Sequence, residues 1–245
     1  SAVWAQVPQP ATVLWLTGEI TPAPRTALIQ QQAQALGLSV QHLDFPLRGP
    51  AELPDAERTA LTAALQRAAM VGVDAPHASV LTRLSRLLRG PLQGVHVPVV
   101  WVSPSEGEET VSAAAPLPSR LAAYLRAGGA QNTRSAMMLA AAHLRGEPEP
   151  DVSALQVWPA SGLYHPDAPT WMANAADMSR WMATQPGLRD RPTVAILVHR
   201  YHFVNGSTPW LDQWVRLFER QGLAAYAVFG QQVDVAGLCT LLGVP

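Results

Sequence analysis

Lysine is absent from these 245 residues, and all 17 basic side chains are arginines. Eighteen acidic residues bring the net charge close to −1, which gives no electrostatic case for nucleic acid, where a basic face is expected. Beside so many Ala, Leu and Pro, the missing lysine reads as a GC-rich coding bias rather than a functional device. Cysteine occurs once, as Cys239, so an internal disulfide and a cysteine-rich metal site are both excluded. Lying in the apolar run 235–242, it reads as a small core residue. Only 14% of the residues are charged and 48% are apolar, a composition that builds a core and argues against disorder. No apolar run approaches the roughly 18 residues of a membrane span. Also missing are a Walker loop, a GxGxxG after a strand, an HExxH helix and a GxSxG elbow.

What is present is a strand–loop–helix–strand pattern. Residues 193–198 (TVAILV) form a short apolar run of β-branched character, as expected of a strand buried on both faces. The chain then enters a polar loop that crowds His199, Arg200, Tyr201, His202 and Asn205 together, with Gly206 and Pro209 as turn residues. A helix with Leu211, Val215 and Phe218 on one stripe ends at Gly222, and 223–229 is a second strand. Residues 12–45 repeat this order: a strand at 12–16, a helix at 25–36 closed by Gly37, and a strand at 38–45. Two related α/β halves follow from the echo.

Between them the pattern predicts a helix over 55–70 capped by Asp55, a helix over 78–88 closed by Gly90, and a strand over 95–102. Pro98 places that strand at an edge or a bulge. Residues 103–118 read as a solvent-facing loop. Helices separated by Gly128-Gly129 occupy 119–144, with Asn132 as a candidate cap, and 159–167 is a turn-rich loop carrying Tyr164 and His165. In the helix after it, Trp171, Ala175, Met178 and Met182 form a packing stripe. The expected organisation is a first α/β unit over 1–118, a helical and loop connector over 119–190, and the start of an incomplete second unit over 191–245.

The candidate chemistry lies in the histidines. His199 and His202 are three apart, a spacing that can present two imidazoles to one metal or substrate, at a strand's carboxyl end where open α/β sheets bind ligands. The bland alternative is a strand end and a solvated loop residue. Arg200 can fork onto a carboxylate, Tyr201 can stack, and His165 stands in a Gly/Pro loop beside Tyr164 and Asp167.

Three blocks together resemble the N-terminal region of the CobN family, which comprises the large subunit of aerobic cobaltochelatase and the H subunit of magnesium chelatase. They are Gly128-Gly129-x-x-Asn132 between two helices in 124–144, the Tyr164-His165-Pro166-Asp167 loop in 162–182, and 191–230. The last block has a Thr193-Val194 strand, an Arg200 loop and Glu219-x-x-Gly222-Leu223. The repeated strand–helix–strand pattern predicts Rossmann- or flavodoxin-like three-layer units with a mostly parallel sheet. The resemblance implies a tetrapyrrole macrocycle and Co²⁺ or Mg²⁺ as substrates, and AAA+ ATPase subunits as partners that hydrolyse the ATP, so no nucleotide motif is needed here. Members of that family exceed a thousand residues, so a segment of this size is expected to be part of a cobaltochelatase-type ligase and not catalytic alone. Substrate-facing candidates are His199, Arg200, Tyr201, His202, Asn205, Tyr164 and His165, and the metal-facing pair is His199 with His202. The family's compartment is the cytoplasm, whereas the small-x-small start, Val3-Trp4-Ala5, is compatible with the end of an export signal and a periplasmic location. The rival reading is a non-catalytic module that handles tetrapyrrole, haem or another small ligand in the cell envelope.

Overall fold

The structure, a computed structural model, describes residues 10–103, 114–230 and 235–243. The Val3-Trp4-Ala5 start and most of the loop expected at 103–118 lie outside them. The chain divides into two compact units, Ser1–Val157 and Trp158–Pro245.

The first unit holds a four-stranded parallel sheet in the order β2-β1-β3-β4, formed by β1 (Thr12–Gly18), β2 (Ser39–Phe45), β3 (Met70–Asp74) and β4 (Val99–Val102). Alternation along β1 sorts the core into two layers. Val13 and Trp15 face α1 (Ala23–Ala35), α4 (Leu117–Ala127) and α5 (Gly129–Arg145). Leu14 and Leu16 face α2 (Asp55–Arg67) and α3 (Ala78–Leu92). This is a three-layer α/β/α unit, as the pattern implies. Pro98 precedes β4, which is an edge strand, and its carbonyl accepts from Val71 N–H.

The central strand β3 is a correction, because the sequence reads as helix up to Met70. Only Ala68 and Ala69 separate α2 from β3, so no turn residue marks the change. The strand is nonetheless completely buried. Gly72 within it has a packing reason: a Cβ there would stand 2.3 Å from Cζ3 of Trp15, its partner across the register. Asp55 is the first residue of α2, which Pro54 precedes, and it pairs with Arg58 instead of capping. Helix α3 runs through Gly90 to Leu92.

The second unit holds a three-stranded sheet, β5-β7-β6, in which β6 (Thr193–His199) runs parallel to β7 (Ala224–Gly230) and β5 (Ser161–Tyr164) antiparallel to it. Strand β5, hidden in the turn-rich 159–167, is a second correction. Its Gly162 leaves room for the Phe229 ring, 2.8 Å from where a Cβ would stand. Between β6 and β7 come the short α7 (Tyr201–Val204) and α8 (Pro209–Arg220). Helix α6 (Ala175–Ala183) is capped by Asn174, whose side chain accepts from Asp177 N–H at 3.0 Å. Its Met178 and Met182 pack on β5 and β7 beside residues of α9 (Val235–Leu242). Trp171 precedes α6 and packs on Trp158. Helices α4 and α5 thus belong to the first unit and β5 and α6 to the second, so the stretch 119–190 supplies elements to both.

Candidate functional site

The Gly128-Gly129-x-x-Asn132 block is a latch. Gly128 (φ 67, ψ −167) and Gly129 (φ 78) take backbone conformations that L side chains rarely adopt, which lets α5 follow α4 with a single residue between them. Asn132 is 1% exposed. Its Nδ2 donates to Gly128 O at 2.7 Å and Gln156 O at 2.6 Å, and its Oδ1 accepts from Gln156 N–H at 3.0 Å. It lies inside α5 and ties down the chain at Gln156, a different task from the cap expected of it.

The Tyr-His-Pro-Asp loop is clamped onto one face of α8. Tyr164 Oη donates to Asp212 at 2.9 Å, Asp167 pairs with both terminal nitrogens of Arg216, and His165 Nε2 meets Glu219 Oε1 at 2.8 Å. Arg216 Nη1 also donates to Glu219, at 2.9 Å. Asp212, Arg216 and Glu219 are four and then three residues apart, so they share one helical face. His165 is 1% exposed and its ring lies on Trp181, 4.7 Å between centroids. Its Nδ1 accepts from Asp167 N–H at 3.1 Å, so the neutral imidazole carries its proton on Nε2 and donates it to Glu219. Burial holds the His165 pKa below the ordinary histidine value despite Glu219. Burial and the Asp212 bond push the Tyr164 phenol well above the usual tyrosine value. The bond from Arg216 holds Asp167 below the usual carboxylate range.

The other candidates sit where β6 ends. His199, the last residue of β6, is exposed, and its Nδ1 accepts from Tyr201 N–H at 3.1 Å. Arg200 points back into the unit. Its Nε and Nη2 donate to Trp158 O at 3.1 and 2.6 Å, and Nε also to Pro159 O at 2.8 Å; burial lowers its pKa. The guanidinium expected to fork onto a ligand thus spends these donors on the chain leading into β5. Asn205 is 2% exposed and its Nδ2 bonds Tyr201 O at 2.8 Å, which closes α7 and gives it no ligand-facing surface. Tyr201 is half-buried, its ring edge-on between His199 (6.1 Å) and His202 (6.0 Å). His202 is half-buried with a buried Nδ1 that has no hydrogen-bond partner among the described residues, and its ring stands edge-on to Trp210 at 5.2 Å. Burial and the neighbouring His199 hold its pKa below the ordinary histidine value.

The seven candidates therefore separate into two places on the second unit. His199, Tyr201 and His202 share the carboxyl end of β6, where Arg200 and Asn205 are structural. Tyr164 and His165 belong to the clamp along α8. No cluster of three or more His, Cys, Asp or Glu able to hold a metal occurs among the described residues, so His199 and His202 have no third protein ligand of that kind there. Cys239 is half-buried and free. Asp212 and Arg216 are not among the sequence candidates, and Glu219 enters there only through the Glu219-x-x-Gly222-Leu223 block, although the spacing of the three on a helix is a usable signal; Trp210 beside His202 is likewise absent.

Residues 122–241 match the CobN/Magnesium Chelatase family. No curated protein matches the chain. Among solved structures, the catalytic subunit of cobaltochelatase from Mycobacterium tuberculosis is similar, with a TM-score of 0.50 at 19% sequence identity. The likeness covers 94% of this chain and 17% of that one, so it is a likeness of fold to a fraction of a much longer protein. The family match thus covers residues 122–241, and the chain shares an α/β fold with that catalytic subunit.

Proposed function

We propose that the chain is the N-terminal part of the large subunit of a CobN-type chelatase, which inserts cobalt or magnesium into a tetrapyrrole while separate AAA+ ATPase subunits drive the step. The observation that carries this reading is the family match over residues 122–241. It spans the latch, the clamp and the loop after β6.

Insertion requires that pyrrole nitrogens lose protons and that the metal ion arrive stripped of water. A neutral imidazole is a suitable proton acceptor. His202 fits that role: its lowered pKa keeps it unprotonated near neutrality. His199 offers a second, exposed imidazole at the same strand end. In this reading Tyr201 and Trp210 give the macrocycle aromatic surface, and Tyr164, His165, Arg200 and Asn205 hold the two loops in shape. The metal ion and macrocycle are substrates, and no resident cofactor is invoked.

The test is a metal-insertion assay with the assembled large subunit and its ATPase partners, comparing wild type with His199→Ala/His202→Ala. Losing a positioned general base typically costs ~10²–10⁴-fold, so we expect the double variant to lose at least about tenfold in rate. An unchanged rate removes both histidines from the reaction.

A further inference from the structure

At the end of the second unit away from His199, a cavity of about 400 Å³ opens beside the clamp. That volume falls in the range of small-ligand sites, ~300–1,000 Å³. Its charged lining consists of Arg191, Arg216 and Arg220 with Asp167 and Glu219, and Gly187 contributes open backbone. Three guanidiniums thus face two carboxylates. The two carboxylates are committed: Arg216 bonds both, and Glu219 also accepts a hydrogen bond from His165 Nε2–H. Arg191 gives Nη1 to the Glu219 carbonyl at 3.0 Å, Arg220 is exposed, and no carboxylate among the described residues pairs with either.

One feature opposes an anion here, because the carboxyl end of α8 brings its partial negative charge to this wall. That end is already satisfied. Phe218 O accepts from Gln221 and Leu223 N–H, and Glu219 O from Gly222 N–H and Arg191. We propose that the cavity is a carboxylate-binding site in which Arg191 and Arg220 grip the ligand while the Asp167–Arg216–Glu219 clamp holds the wall rigid. A guanidinium fork matches a carboxylate in shape and charge. The ligand is a small organic acid, or the carboxylate arm of a larger molecule whose body stays outside.

Isothermal titration calorimetry of the chain with glutarate, with a porphyrin bearing peripheral carboxylates, and with inorganic phosphate tests this, using wild type, Arg191→Gln and Arg220→Gln. Arg220 is exposed, so its replacement leaves the fold intact even if Arg191→Gln loosens the loop. Saturable glutarate binding weakened at least about tenfold by Arg220→Gln identifies a free organic acid as ligand. Porphyrin binding with that dependence and no glutarate binding identifies a carboxylate arm, and either result supports the site. Binding of phosphate alone, carboxylate binding indifferent to both variants, or no saturable heat with any probe overturns it. The site does not depend on the chelatase reading: His199→Ala/His202→Ala leaves glutarate binding unchanged even where it abolishes metal insertion.

Discussion

His165 shows how much of one residue's meaning lies outside its own loop. It is neutral in the fold because burial outweighs Glu219, so the unfolded chain binds more protons than the folded one below the ordinary histidine pKa. Its contribution to stability is complete above about pH 6.5 and is lost as pH falls from there toward the folded value. His202, also held low, acts in the same direction. We expect the melting temperature to drop between pH 7.5 and 5.5, and the drop to be shallower in His165→Asn. An identical slope in the variant assigns the effect elsewhere. Asn132 is a second case: replacing it with Ala strands Gly128 O and the Gln156 amide, and we expect a loss of about 2 kcal/mol in urea unfolding, against almost nothing if the latch were cosmetic. Both residues were legible in the sequence as noteworthy, and neither role was. A histidine in a Gly/Pro loop announces accessibility, yet this one is 1% exposed. Its partner is 54 residues away on α8, a distance that no local pattern reports.

Elements were legible where an amphipathic or apolar pattern ran long enough. Strands β1, β2, β6 and β7, helix α8 and the break between α4 and α5 all follow from it. Strand β3 escaped because its five residues follow an alanine-rich helix with only two residues between, and β5 because four residues with a central Gly162 look like a turn. What locates β3 is tertiary: the Trp15 ring lies over Gly72, and Asp74 at its end meets Arg25. We expect Gly72→Ala to cost roughly 1–3 kcal/mol through overpacking, measured by urea unfolding, and Trp15→Leu to relieve part of it. The Arg25–Asp74 pair is 5% and 0% exposed, with Nε–Oδ2 at 2.6 Å, Nη2–Oδ1 at 3.0 Å and a further bond from Nη2 to Leu125 O at 2.9 Å. It spans the point where the strand order reverses between β1 and β3, the crevice that other open α/β sheets leave for a ligand. Removing one charge leaves the other buried alone, so Asp74→Ala is expected to cost about 3–5 kcal/mol. A loss below about 1 kcal/mol would mean that water reaches the pair.

At the scale of the whole molecule, the echo between 12–45 and 193–229 holds in element order. β1-α1-β2 and β6-α8-β7 are both strand–helix–strand units with parallel strands. The echo does not report that β5 adds an antiparallel edge to the second sheet, or that α4 and α5 pack on the first. The three blocks that carry the family likeness are mostly devices of shape: the Gly-Gly-Asn latch, the clamp on α8, and the strand whose end displays His199 and His202. The likeness to the cobaltochelatase subunit covers 17% of that chain. No helix of the described residues is long and apolar enough to cross a membrane. The most direct measurement is a visible-absorption titration of the purified chain with a free-base porphyrin and with a corrin-precursor macrocycle. We expect a saturable Soret shift at one macrocycle per chain that weakens in His199→Ala/His202→Ala; a flat titration with both macrocycles would contradict the placement of a tetrapyrrole surface on this chain.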